Sequence, residues 1–134
     1  SINFTLTNID GGKTSLSEYR GQTVLVVFFS FGCSHCRDEA AILEGVYNQY
    51  KDTQGLVILG IGVDSVSGQL SQFRSQYGWT FPVLNDTNRA VYKQYFTSGV
   101  PALLFVNRSG ELVKKRLGAL SANQLHQWLQ AYIF

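Results

Sequence analysis

The chain has no methionine among its 134 residues, and only two cysteines, two prolines and two histidines. Two cysteines cannot build a multi-disulfide scaffold, so their use is local chemistry. With two histidines beside them, few ligands remain from which to assemble a metal centre. Charged residues are 15% of the chain, and the net charge of +2 is dispersed. The longest basic run, Lys114-Lys115-Arg116, reads as part of a solvated strand, so no nucleic-acid partner is expected. No apolar run nears the ~18 residues a membrane span needs, and the longest, Val24 to Phe29, is strand-sized. The missing methionine creates the expectation that a signal peptide, a membrane anchor or cloning residues once preceded Ser1.

What is present fits a single α/β domain over residues 1–134. At 45% hydrophobic, with 13 glycines, the composition is that of an ordinary folded domain, and a chain of this length buries roughly two-thirds of its unfolded surface. A hairpin-like lead-in pairs Phe4-Thr5-Leu6 with Thr14-Ser15-Leu16 across the turn Asp10-Gly11-Gly12. Thr23 to Phe29 is β-branched and aromatic without interruption, which suits a parallel strand covered on both faces. From Ser34 to about Lys51, Leu43, Val46, Tyr47 and Tyr50 recur at helical spacing, and Gly45 costs that helix ~1 kcal/mol relative to alanine. A buried strand over 56–63 and a helix over 67–77, stopped by Gly78, come next. Phe81 to Leu84 reads as a short strand, and Asp86 as the cap of a helix running to about Tyr95. The strands Ala102–Val106 and Glu111–Leu117 flank the turn Asn107-Arg108-Ser109-Gly110, and Ser121 with Gln124 forms a capping box before a last helix. The expected architecture is a mixed central sheet with helices on both faces.

The chemistry concentrates in Cys33-Ser34-His35-Cys36, at the junction of a buried strand and a helix. The first backbone N–H groups of a helix lack partners and its dipole favours an anion, so a thiolate at Cys33 is stabilised there. Thiolates are the nucleophiles of disulfide exchange, and Cys36, one turn further in, is placed to attack a mixed disulfide formed at Cys33. Terminal dipole effects are only ~0.3–1 kcal/mol, so stronger activation needs a donor or cation. His35 and Arg37 are the candidates, opposed by Asp38 and Glu39. Glu39, one turn after Cys36, is either a proton acceptor for that residue or a surface acid favourable to the helix start.

Set in order, the lead-in "FTLTNIDGGKTSLSEYRGQTVLVVFF", the motif "CSHCRDE", the stretch "FPVLNDTNRAVYKQY" and the segment "GVPALLFVNRSGELV" resemble the thioredoxin superfamily. They are most similar to its TlpA and ResA type, related to the AhpC/TSA proteins and working outside the cytoplasm. The resemblance covers nearly the whole chain. It implies a thioredoxin fold with an N-terminal β extension and a central helical insertion over about Ser65 to Asp86. It implies a thiol-disulfide oxidoreductase needing no cofactor or metal beyond a redox-active Cys33–Cys36 disulfide, with cytochrome c maturation among the destinations of the type. It raises Glu39 to an active-site group and makes the Val100–Pro101 bond cis, leaving the backbone of Val100, with Pro101 and Ser34, to contact an extended substrate segment. Protein thiols and disulfides, among them a membrane-bound or extracytoplasmic redox partner, are the expected substrates, and a monomer the expected state.

Three positions depart from the pattern. Gly32 replaces the tryptophan usual before the first cysteine, Val27 matches the buried acid of cytosolic thioredoxins, and Ala102 replaces the threonine common after the proline. His35 resembles the corresponding residue of strongly oxidising periplasmic enzymes, whereas the overall pattern resembles reductants, which leaves the direction open. Two rival functions use the same fold. A peroxiredoxin-like peroxidase would match Ser30 but has Val26 where its proline belongs. A copper(I) metallochaperone would need His126 beside the two cysteines.

Overall fold

The computed structural model describes residues 1–134 and shows a seven-stranded mixed sheet with three α-helices. The strands are β1 (Thr5–Asn8), β2 (Lys13–Ser15), β3 (Thr23–Phe29), β4 (Leu56–Val63), β5 (Val83–Asp86), β6 (Ala102–Val106) and β7 (Leu112–Leu117), and the helices are α1 (Ser34–Tyr50), α2 (Ser67–Tyr77) and α3 (Ala122–Tyr132). Their order across the sheet is β2-β1-β5-β4-β3-β6-β7. β3, β4 and β5 run parallel, while β6 and β1 flank them antiparallel. Every residue of β3 and β4 is buried, as their uninterrupted apolar sequences require.

All three α-helices pack on one face. Leu43, Val46 and Tyr50 of α1, Leu70 and Phe73 of α2, and Leu125 and Leu129 of α3 share a cluster with Leu25, Val27 and Phe29 of β3. On the opposite face Val24, Val26 and Phe28 pack with Phe4, Leu16, Val91 and Tyr92. That face has no α-helix, because the helix expected from Asp86 to Tyr95 is broken into two 3-10 turns, Thr87–Arg89 and Tyr92–Gln94. Asn88 and Arg89 adopt left-handed backbone angles, φ 60° and 57°, which no α-helix accommodates. Asp86 still caps: its buried carboxylate accepts the N–H groups of Val91 at 3.0 Å and Tyr92 at 2.8 Å. The strand expected at Phe81 to Leu84 is displaced by two residues to β5, with Phe81 left in the core. The segment from Ser65 to Asp86 thus supplies α2 and then a strand inserted between β4 and β1.

Close packing of α2 depends on a glycine. A side chain at Gly62 on β4 would overlap that of Leu70, so the helix lies directly on the strand. This contact holds the β4–α2 loop, where the Ser65 hydroxyl accepts the Phe31 N–H at 3.1 Å, just before the cysteine motif.

Candidate active site

β3 delivers the chain to the cysteines through a tight turn in which Cys33 N–H donates to the Ser30 carbonyl at 3.3 Å. Gly32 lies in the left-handed region at φ 105°, a conformation that disfavours any side chain. The departure from tryptophan at this position is therefore matched to the turn. Cys33 is the N-cap of α1, and its sulfur accepts the Cys36 N–H at 3.2 Å. Both cysteines carry free thiols, Cys33 partly exposed and Cys36 only 1% exposed. A reactive sulfur thus stands at a helix N-terminus with a resolving sulfur buried one turn behind it.

The Val100–Pro101 bond is cis, and the Val100 carbonyl lies 3.6 Å from the Cys33 sulfur, in range to accept its S–H. Ser34 opens α1 on the exposed surface beside the sulfur. Of the three residues expected to meet substrate, Val100 is the one in contact with the reactive sulfur, with Pro101 following it across the cis bond and Ser34 adjoining Cys33 in the chain.

Glu39 is not a surface acid: it is 1% exposed. Its Oε1 accepts the Leu120 N–H at 3.1 Å, while Oε2 is buried without a hydrogen-bond partner. Burial pushes its pKa from 4.5 up to about 7, against the lowering effects of the Leu120 N–H and the Arg116 charge. Burial likewise pushes the Cys36 thiol far above the ordinary range, reinforced by its hydrogen bond with Cys33 and by the negative charges of Cys33 and Glu39, with a backbone contact at Ser30 opposing. Arg116 is fixed by donating to the carbonyls of Gly118 at 3.4 Å and Ala119 at 3.2 Å, just before Leu120. The basic run on β7 is thus only partly solvated: Lys114 and Arg116 lie over the Trp128 ring at 5.3 and 5.7 Å. Neither Arg116 nor the Leu120 N–H was legible as part of the site, since a backbone donor has no sequence signature.

His35 points outward, its side chain 80% exposed and its Nδ1 4.0 Å from the Asp38 carboxylate. The polar contacts of the Cys33 sulfur come from Cys36 and Val100 instead. His126 is hydrogen-bonded through Nδ1 to the Tyr50 hydroxyl, at the far end of α1. A helix of 17 residues is about 25 Å long, so the fold separates His126 from the dithiol. Val26 faces the opposite side of the sheet from the motif.

A dithiol of unequal exposure at the helix N-terminus of a thioredoxin fold, faced by a cis-proline segment, defines a thiol-disulfide oxidoreductase. The comparisons with known proteins agree. Residues 1–115 match the AhpC/TSA family, and the chain belongs to it. The thiol-disulfide oxidoreductase ResA of Bacillus subtilis (strain 168) is 29% identical over 127 residues, covering 95% of this chain and 70% of that protein. ResA of Halalkalibacterium halodurans is 26% identical over 97% of this chain and 73% of its own length. Among solved structures, a thiol:disulfide interchange protein DsbE from Chlorobium tepidum, itself assigned as putative, superposes with a TM-score of 0.86 at 23% identity, covering 97% of this chain and 92% of that one. The last likeness shows the thioredoxin fold.

Proposed function

We propose that this oxidoreductase exchanges disulfides with partner proteins outside the cytoplasm as a monomer, with Cys33 attacking and Cys36 resolving. The observation that carries the order of attack is the unequal depth of the sulfurs. Cys33 is accessible to a protein disulfide while Cys36 is buried, and the Cys33 sulfur accepts the Cys36 N–H at the start of α1.

In the reducing direction the Cys33 thiolate attacks one substrate sulfur. The substrate S–S bond breaks, and the departing sulfur leaves as a thiolate that takes up a proton. Cys36 then loses its proton and attacks the Cys33 sulfur, expelling the second substrate thiolate and closing the Cys33–Cys36 disulfide. Two electrons pass to the substrate, and the two cysteines themselves hold the redox equivalents. A thiol held as high as Cys36 needs an acceptor, and Glu39, on the same helix with a free Oε2 and a pKa near neutrality, is suited to take the proton. His35 contributes through its charge when protonated, offset by Asp38. Val100 and Pro101 contact the substrate segment, with Ser34 on the other side. The resemblance to the TlpA and ResA type supports the extracytoplasmic setting and a membrane-bound or extracytoplasmic redox partner.

Reduced protein should reduce a model disulfide with chelator present, and Cys33→Ser should abolish the reaction. In Cys36→Ala a mixed disulfide should accumulate on Cys33, detectable by mass spectrometry. Full activity of Cys33→Ser, or no adduct on Cys33 under substrate saturation, would overturn the assignment.

A further inference from the structure

Tyr92 is fully buried on the helix-free face, and packing alone accounts for its ring. The ring stands edge-on to Phe28 with centroids 5.5 Å apart and stacks on Phe96 at 5.6 Å. The Arg89 guanidinium covers it at 5.1 Å and is itself held by Asp64, to which Arg89 Nε donates at 2.7 Å. The buried Asp86 carboxylate fixes the Tyr92 backbone through its N–H. Ring and backbone are thus both constrained before the hydroxyl is considered.

The hydroxyl donates to the Gly99 carbonyl at 2.6 Å. Gly99 immediately precedes Val100, whose own carbonyl lies 3.6 Å from the Cys33 sulfur. We propose that Tyr92 is a positioning residue for the redox centre, its hydroxyl setting where the Val100 carbonyl stands against Cys33. The proposal deepens the exchange reading above and rests on it.

The contact between Cys33 and Val100 exists in only one redox state. A protonated Cys33 can donate its S–H to the carbonyl, whereas a sulfur in the disulfide has no hydrogen to donate. Displacing the carbonyl therefore weakens the reduced protein and leaves the oxidised one unchanged. The reaction that reads this is protein dithiol plus oxidised dithiothreitol giving protein disulfide plus reduced dithiothreitol, in which two electrons and two protons leave the protein.

Tyr92→Phe keeps the ring and removes only the hydroxyl. The equilibrium constant of that reaction should shift about 3–10-fold toward the protein disulfide, the range of one neutral hydrogen bond. Thiol alkylation and mass spectrometry across a series of dithiothreitol ratios would measure it. Val57→Ala serves as the comparison: Val57 lies in the same apolar layer but pairs with Val24, at the end of β3 away from the dithiol. It should lower stability without moving the equilibrium. An unchanged constant in Tyr92→Phe, or an equal shift in Val57→Ala, would overturn the proposal. The constant involves both sulfurs and does not depend on which attacks, so failure of the trapping experiment is distinguishable from failure here.

Discussion

Replacing Glu39 by glutamine tests the site through the pH dependence of stability. A carboxyl with its folded pKa near 7 against an ordinary 4.5 holds its proton more tightly in the native state. Below pH 4.5 both states are protonated and the group contributes no slope. Between pH 4.5 and 7 the unfolded chain ionises first, so stability falls as pH rises. Above pH 7 the full cost of burying the carboxylate is present. At 1.36 kcal/mol per pKa unit this cost is about 3 kcal/mol, a large fraction of the ~5–15 kcal/mol that stabilises a typical domain. Glutamine keeps an oxygen for the Leu120 N–H and cannot ionise. Urea unfolding of the reduced proteins at several values from pH 4 to 8 should give similar stabilities at the acid end. At pH 8 the Glu39→Gln variant should be the more stable, by up to about 3 kcal/mol. The gap should open between pH 4.5 and 7. Parallel curves for the two proteins, or a less stable variant at pH 8, would refute the placement of a titrating carboxyl in the core. The same substitution should slow resolution of the mixed disulfide and remove the limb of the pH–rate profile near 7, since glutamine cannot take the Cys36 proton.

Two further predictions concern the surroundings of the motif. Gly62→Ala should cost about 1–3 kcal/mol in chemical unfolding, as expected of an overpacked core, because the new methyl overlaps Leu70 and displaces α2. His35→Gln should lower the reduction potential by less than ~30 mV, the value of a tenfold change in equilibrium constant for a two-electron couple, measured against glutathione; the exposure of the ring and its Asp38 neighbour limit the effect.

The long buried strands and the motif-bearing helix were legible because their signals are periodic or unbroken: β3 and β4 fall at the predicted residues, and α1 begins at Ser34 as its cap requires. The motif's position at a strand–helix junction was legible for the same reason. The segment after Asp86 was not. Asp86 does cap N–H groups as a helix start would, but they belong to residues beyond two left-handed ones, and asparagine and arginine do not announce a positive φ as glycine does. The two readings of Glu39 could not be separated by spacing, since a helix places positions 36 and 39 on one face whether that face is wet or dry. What buries Glu39 is the loop before α3, distant in sequence, whose Leu120 N–H reaches it. Tyr92 belongs to the same category: it lay within the helix expected after Asp86, and the acceptor of its hydroxyl emerged only from the fold.

In the mechanism proposed above, Val27 and Glu39 together bear on how the proton of Cys36 is handled. Val27 is 1% exposed and shares its cluster with Cys36, so β3 presents no titratable group at this position. The acid comes instead from α1, the helix that carries the cysteine. Residues three apart on a helix keep ~5–6 Å between their Cβ atoms whatever the helix packs against. The spacing of the two Cβ atoms is therefore set by the helix, while the Leu120 N–H holds one carboxyl oxygen of Glu39. The Leu120 N–H and the Arg116 charge then act on only one side of the balance, favouring the carboxylate against burial and bringing Glu39 near neutrality, where an acid can both accept and return a proton. Without them burial would hold the proton on the carboxyl more tightly and weaken it as a base, so the loop before α3 is as much a part of the site as the motif itself.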